Sequence, residues 1–335
     1  MAPKPVLFIG GSGLVGRAAA HAFSALRPGT PILIAGRNLA RARQVASRIP
    51  YASAVRVDLS ERNIEVPGPL GAIVLSAPDH ALNALRFAQR CGVPYATVTP
   101  WLTEASMEAV AASHRPGLPV LLASHWWAGA ATMLTLQAAS LFTTVASARI
   151  VAIVDDEDAA GPATDADMGR SAGVPAFALH DGQRAWLSGA DAQSTLITAD
   201  GRVLETEAYS LIDIASLSAA LGAPNIRFDL ATGESTSRRR CGALAAELVV
   251  EIEGEMACGK ARSRSILEYP GGQANFTGLS LAILLTHFLP EMRSAPSGLQ
   301  LPETVVSADV FLGQLERAGT QIAHNLGDMA GDSRR

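Results

Sequence analysis

Charge, aromatic rings and cysteine are all scarce in this chain. Asp, Glu, Lys and Arg make up 17% of it and the aromatic residues 5%, against 48% hydrophobic residues. That balance excludes extended disorder and leaves ample material for a large core. Neither sign of charge dominates, since 27 basic and 31 acidic residues give a net −4, and Arg238, Arg239 and Arg240 form the one dense basic run. A nucleic-acid partner is thereby excluded, because its electrostatic footprint is missing. Cys91, Cys241 and Cys258 have no CxxC spacing, so neither a disulfide framework nor a zinc site is expected and a reducing compartment fits. Residues 118 to 142 approach membrane-spanning length but are interrupted by His125, Gly129 and Gln137. They read as a buried strand running into a buried helix, so no membrane partner is expected. The apolar run Val6 to Ile9 is too short for the core of a signal peptide, which predicts a cytoplasmic protein. Familiar catalytic patterns are missing too: no tyrosine opens a YxxxK, and GxSxG and HExxH do not occur. A tyrosine–lysine proton relay, a nucleophile elbow and a zinc-protease site are therefore excluded, and no metal is expected.

What the chain does have is a beat of short apolar runs alternating with alanine- and arginine-rich helical stretches. Strands are predicted at Val6–Gly10, Pro31–Ala35, Ala54–Asp58, Gly71–Ser76, Tyr95–Val98 and Pro119–Ala123. Helices are predicted at Gly13–Leu26, Leu39–Ile49, Ala81–Cys91 and Thr103–Ser113. Continuous rather than alternating apolar strands are what a parallel sheet covered on both faces requires, so the fold class is α/β with a doubly wound sheet. After about residue 125 the texture changes to longer alternating stretches with turn signals at Asp200-Gly201 and Gly271-Gly272, which predicts a second, inserted α+β domain. Residues 276 to 289 read as a buried helix, and residues 155 to 176 as a polar surface loop.

The first strand runs into Gly10, Gly11, Ser12, Gly13, Leu14, Val15 and Gly16, where Gly11, Gly13 and Gly16 satisfy GxGxxG. Alone that motif is weak. Between a strand and an alanine-rich helix it predicts dinucleotide binding: glycines allow the tight turn and the approach of a pyrophosphate, and helix-start amides face its charge. The end of the second strand selects the dinucleotide. An acidic residue there would hold a ribose 2′-hydroxyl; this chain has Gly36, Arg37 and Asn38 instead. Arg37 offers a planar fork of donors to a 2′-phosphate, so NADP(H) is the expected cofactor. Asp58, at the end of the third strand, is expected at the adenine amino group, and Ser76, Ala77 and Pro78 at the nicotinamide ribose.

These residues resemble the saccharopine dehydrogenase-like, NADP-binding oxidoreductases. The likeness is carried by GGSGLVGR (10–17), AGRN (35–38), VDLS (57–60), CGVPYATVT (91–99) and the late LQLPETVVSADVFLGQLERAG. It implies a Rossmann domain over 1–125, a substrate-binding and dimerisation domain over 126–295, and a helix at about 300–325 returning to the first domain. Members of that family reduce imines or run that reaction backwards, so a homodimeric NADPH-dependent reductase of an imine, or of a polarised C=O or C=C bond, of a small metabolite is expected, the imine being what the resemblance implies. Where the family carries a Tyr-x-Asp pattern this chain has Tyr95 and Thr97, so no acidic role transfers there.

Hydride transfer needs a group that moves or stabilises a proton. Candidates at the ends of the last two predicted strands are His125 and Tyr95, with Trp101, Trp126 and Trp127 as substrate walls; His180, Tyr209 and Asp213 follow from the second domain. The alternative is a non-catalytic NADP(H)-binding redox sensor, which has no need of the aromatic SHWWAG run at the domain crossing.

Overall fold

The computed structural model describes residues 3–99, 102–158, 161, 166, 169–170, 173–289 and 297–328. It divides into two compact units, one made of residues 1–129 and 277–307, the other of 130–276 and 308–335.

The first unit is built on a seven-stranded parallel sheet. Its strands are β1 (Val6–Ile9), β2 (Ile32–Gly36), β3 (Ala52–Arg56), β4 (Ala72–Leu75), β5 (Tyr95–Thr97) and β6 (Val120–Leu122), joined by the two-residue β15 (Leu299–Gln300). The order β15-β6-β5-β4-β1-β2-β3 contains the 3-2-1-4-5-6 arrangement of dinucleotide-binding sheets, extended by one strand from the C-terminal part of the chain. β1 lies at the centre, with Phe8 in register with Ile34 on one side and Val74 on the other. All four of its side chains are buried, because helices cover both faces of the sheet. Burying a side chain of the size of Phe8 or Ile34 contributes about 1.5–3 kcal/mol.

The helices are α1 (Leu14–Leu26), α2 (Leu39–Ala46), α3 (Asn83–Cys91) and α4 (Leu102–Ser113). In α1 the buried positions Gly16, Ala19, Ala20 and Phe23 recur at helical spacing, so one stripe faces the sheet. α3 ends on Gly92 in the left-handed conformation at φ 64°, where a side chain would be strained. After α5 (Ala130–Ala139) and α6 (Ile212–Leu221) comes α7 (Gln273–Phe288), which also covers α1. A Cβ on Gly278 would stand 2.5 Å from the Ala18 Cβ and 2.6 Å from the Ala19 nitrogen. Only glycine permits that approach.

The second unit carries a mixed sheet ordered β10-β11-β12-β7-β13-β14-β16, with β8 and β9 attached beside β12. These strands are β7 (Thr144–Val154), β8 (Ala176–His180), β9 (Gln183–Leu187), β10 (Gln193–Ile197), β11 (Val203–Ala208), β12 (Asn225–Thr232), β13 (Ala245–Met256), β14 (Gly259–Pro270) and β16 (Gln321–Asp328). β12 runs parallel to β7 and the other pairs are antiparallel. Burial alternates cleanly along β11, as in a strand with one wet face. Asp229, fully enclosed, accepts from Arg149 Nε at 2.9 Å and from Arg227 Nε at 2.6 Å.

Two expectations are corrected. Residues 300–325 do not form one helix returning to the first unit. They contain α8 (Pro302–Val305), α9 (Ala308–Arg317) and the start of β16. Residues from Ala308 onward belong to the second unit, where α9 rests on α5 and β16 pairs with β14. Gly271-Gly272 is not a hairpin turn: both glycines have positive φ and lead from β14 into α7. Ten of residues 155–176 lie outside the described residues, as does Trp101.

Candidate functional site

The glycine loop sits where β1 passes into α1, and its glycines are needed for different reasons. Gly10 has φ +80°, and a Cβ there would lie 2.8 Å from the Ser76 carbonyl and 2.9 Å from the Ala77 Cβ. At Gly16 a Cβ would fall 2.4 Å from the Gly10 oxygen and 2.3 Å from Ser76 Oγ. Both positions are closed by the protein itself. Gly13 differs, because the one atom near a Cβ there is the Gly10 oxygen at 3.2 Å, so its open side faces no protein. The turn is fixed by the Gly13 N–H donating to the Gly10 carbonyl at 2.8 Å, and Ser76 binds it to β4 by donating to the Ile9 carbonyl at 3.2 Å. Gly13 is the N-cap of α1, with no side-chain cap and no acidic residue in the first turn. The amides of Leu14, Val15 and Gly16 are left for an anion, which the helix dipole favours. A backbone cradle that a Cβ would fill, opening on an uncapped helix start, fits a pyrophosphate.

The end of β2 comes to the same place, since a Cβ on Gly36 would stand 3.3 Å from Ser12 Oγ. Arg37 follows it, exposed, and makes no hydrogen bond or ion pair among the described residues. Asn38 is used locally: its Oδ1 accepts from the Arg41 N–H at 3.0 Å and caps α2. Asp58, just beyond β3, accepts from the Ser60 hydroxyl at 2.7 Å and the Ser60 N–H at 3.0 Å. Those bonds, with Arg56 and Arg37 nearby, hold its carboxyl below the usual range.

The proton-transfer candidates are deeper. Tyr95 is fully buried and its hydroxyl donates to Glu108 Oε1 at 3.3 Å. Burial and the neighbouring carboxyl push the phenol well above its ordinary range. His125 is 3% exposed and lies 3.9 Å from a Glu303 oxygen. Burial lowers its pKa to about 4, with Glu303 opposing, so the ring is neutral at neutral pH. Neither side chain reaches solvent. Trp127 is buried and Trp126 partly so, with ring centroids 5.7 Å apart. Trp127 and Ala128 both take left-handed backbone conformations, followed by Gly129 at φ +100°, at a cost of about 1–2 kcal/mol for each non-glycine residue. In the second unit Asp213 is enclosed and accepts from the Thr132 hydroxyl at 2.7 Å, whereas His180 is exposed beside Asp181.

Glu108 is a buried group of this region that no motif in the sequence singles out. It lies on the buried stripe of α4 between Ala105 and Ala112, a carboxyl at helical spacing among alanines. Burial raises its pKa to about 8. Among the described residues no three His, Cys, Asp or Glu side chains are placed so that they could hold a metal ion, and no described helix is long and apolar enough to cross a membrane.

No family model and no curated protein matches the chain. Solved structures do. GenD2 from gentamicin A biosynthesis, in complex with NAD, is 14% identical and aligns over 96% of this chain and 97% of its own, with a TM-score of 0.46. A dehydrogenase from Chromobacterium violaceum is 13% identical over 94% of this chain and 93% of its own, with a TM-score of 0.48. An oxidoreductase from Agrobacterium radiobacter, in complex with NAD+, L-tartaric acid and magnesium, is 12% identical over 96% and 98%, also at 0.48.

Proposed function

We propose that the first unit binds NADP(H) and that the protein is an oxidoreductase acting on an imine, or on a polarised C=O or C=C bond, of a small metabolite. The observation that carries the reading is the cradle between Gly10, Gly16 and Ser76, whose closed side excludes any Cβ and whose open side lies at Gly13. Gly10 to Gly16 would hold the pyrophosphate on backbone amides, and Ser76 to Pro78 would flank the nicotinamide ribose. Arg37, exposed and uncommitted at the end of β2, supports the 2′-phosphate form over NAD(H). When bound, the cofactor supplies a hydride. The chain's own part is to orient it, exclude water and position the proton-moving group. The imine substrate rests on the resemblance to saccharopine dehydrogenase-like enzymes.

Equilibrium binding of NADPH and NADH, followed by absorbance decay with amine plus keto-acid or aldehyde pairs, tests the reading. Tighter binding of NADPH and turnover of at least one pair are expected; preference for NADH overturns the cofactor assignment. Tight NADPH binding with no turnover favours the sensor reading, which the burial of both Tyr95 and His125 also supports.

A further inference from the structure

Pro78 and Asp79 follow directly on Ser76 and Ala77, the residues that abut Gly10. With His80, Thr99, Glu104 and Glu108 they line a cavity of about 180 Å³ in the first unit. A cavity of about 150 Å³ admits benzene, so this one has room for a ring-sized fragment.

Three of those side chains are carboxyl groups, Glu104 lying 3.4 Å from His80 Nδ1, and among the described residues no lysine or arginine joins them. Glu108 is 3% exposed; the Tyr95 hydroxyl occupies its Oε1, while its Oε2 has no partner among the described residues. Asp79 accepts from the Ala84 N–H at 2.7 Å through Oδ2. Its Oδ1 is likewise enclosed and without a partner among the described residues. Leaving enclosed oxygens unsatisfied is costly, and the cost grows with charge. A ligand with several N–H donors and a positive charge satisfies both at once. A hydroxyl brings one donor and no charge, and an anion would be repelled.

We propose that this cavity binds the ammonium group of a small primary amine between Asp79 and Glu108, with Tyr95 as the positioning residue that fixes the Glu108 carboxyl. The proposal rests on the hydride-transfer reading for its chemical meaning, since reduction of an imine leaves an amine. The groups facing Glu108 are Tyr95 from β5, Asp79 from the segment after β4 and Glu104 from its own helix. Burial keeps Glu108 protonated at neutral pH, and a bound cation opposes that, so binding expels a proton.

The test is calorimetric titration of the full chain, without dinucleotide, at about pH 7.5, using n-butylammonium chloride with n-butanol and butyrate as size-matched probes. Butylammonium is expected to bind about ten-fold or more tighter than butanol, with a heat that changes with the ionisation enthalpy of the buffer, and butyrate not at all. Glu108→Gln should lower that affinity about ten-fold or more and abolish the buffer dependence without lowering the thermal midpoint; Asp79→Asn should also weaken binding. Equal binding of butanol and butylammonium, or no binding of either, overturns the proposal, as does unchanged affinity in both variants. NADPH affinity on the same samples separates the two readings. Butylammonium bound without NADPH upholds this site and removes the dinucleotide assignment, whereas NADPH bound without butylammonium removes this site alone.

Discussion

Replacing Gly16 by alanine tests the glycine loop where its geometry is tightest. The new Cβ would stand 2.4 Å from the Gly10 oxygen and 2.3 Å from Ser76 Oγ. The serine hydroxyl can rotate away, at the expense of its bond to the Ile9 carbonyl. The Gly10 oxygen cannot, because it is backbone and already accepts the Gly13 N–H. Overpacking of this kind costs about 1–3 kcal/mol. Alanine recovers about 1 kcal/mol of helix propensity inside α1, so the net loss is about 0–2 kcal/mol. At about 2–4 °C per kcal/mol for a unit of this size, the midpoint should fall by a few degrees. NADPH affinity should fall about ten-fold or more, since the shifted turn no longer presents its amides together. Gly13→Val is the counterpart: its Cβ meets the Gly10 oxygen alone, at 3.2 Å, and valine is a poorer N-cap than glycine, so stability should fall by about 1 kcal/mol while NADPH binding disappears. Thermal unfolding and fluorescence titration of both variants decide the matter. A Gly16→Ala protein with wild-type midpoint and affinity would refute the argument.

Arg37→Ala should weaken NADPH by about ten-fold or more, the worth of a charge-assisted bond of about 1.5–3 kcal/mol, and leave NADH nearly untouched; equal losses in titration would sink the 2′-phosphate assignment. His125 is neutral when folded, with its pKa lowered from 6.5 to about 4, so the unfolded chain binds the extra proton between those values. Stability should therefore drop by up to about 3 kcal/mol as pH falls from about 6.5 to 4, and His125→Gln should flatten that part of the midpoint-against-pH curve; parallel curves would contradict it. Glu108 has the opposite sign, because a carboxyl raised from 4.5 to about 8 binds its proton in the folded state. Stability should fall as pH rises through that window, by an amount on the order of 5 kcal/mol. Glu108→Gln should accordingly raise the midpoint at pH 8.5 but not at pH 4.5, as scanning calorimetry can check.

The parallel sheet was legible because its strands are buried on both faces. Runs such as VLFI and AIVL are continuous, and each observed strand falls within a residue or two of its expected place. β15 was not legible: two residues at a sheet edge carry no periodicity. β16 was missed for a related reason, since QIAHNLGD is polar and gains its order from pairing with β14 across eight positions. At the site, the glycines and Arg37 showed themselves through chain-local spacing. The meeting of Asp79 and Glu108 did not, because it depends on how α4 is rotated against β5. The isolated carboxyl on the alanine stripe was the available hint, and it reads equally as a solvated residue until the helix is placed.

The two-part composition of the first unit has a consequence for synthesis in the cell. The glycine loop and α1 leave the ribosome early, yet the Arg27 guanidinium at the end of α1 is held by the Thr286 carbonyl, 259 positions further on. At about 5–20 residues per second the nascent chain waits roughly 13 to 50 s between making one and the other. Throughout that interval the surface of α1 that α7 will cover stands open, and even after β6 has been made the sheet has six of its seven strands. Translation speed and holding chaperones thus bear on the yield of active protein, a dependence that refolding from denaturant, where all segments are present at once, would not reveal.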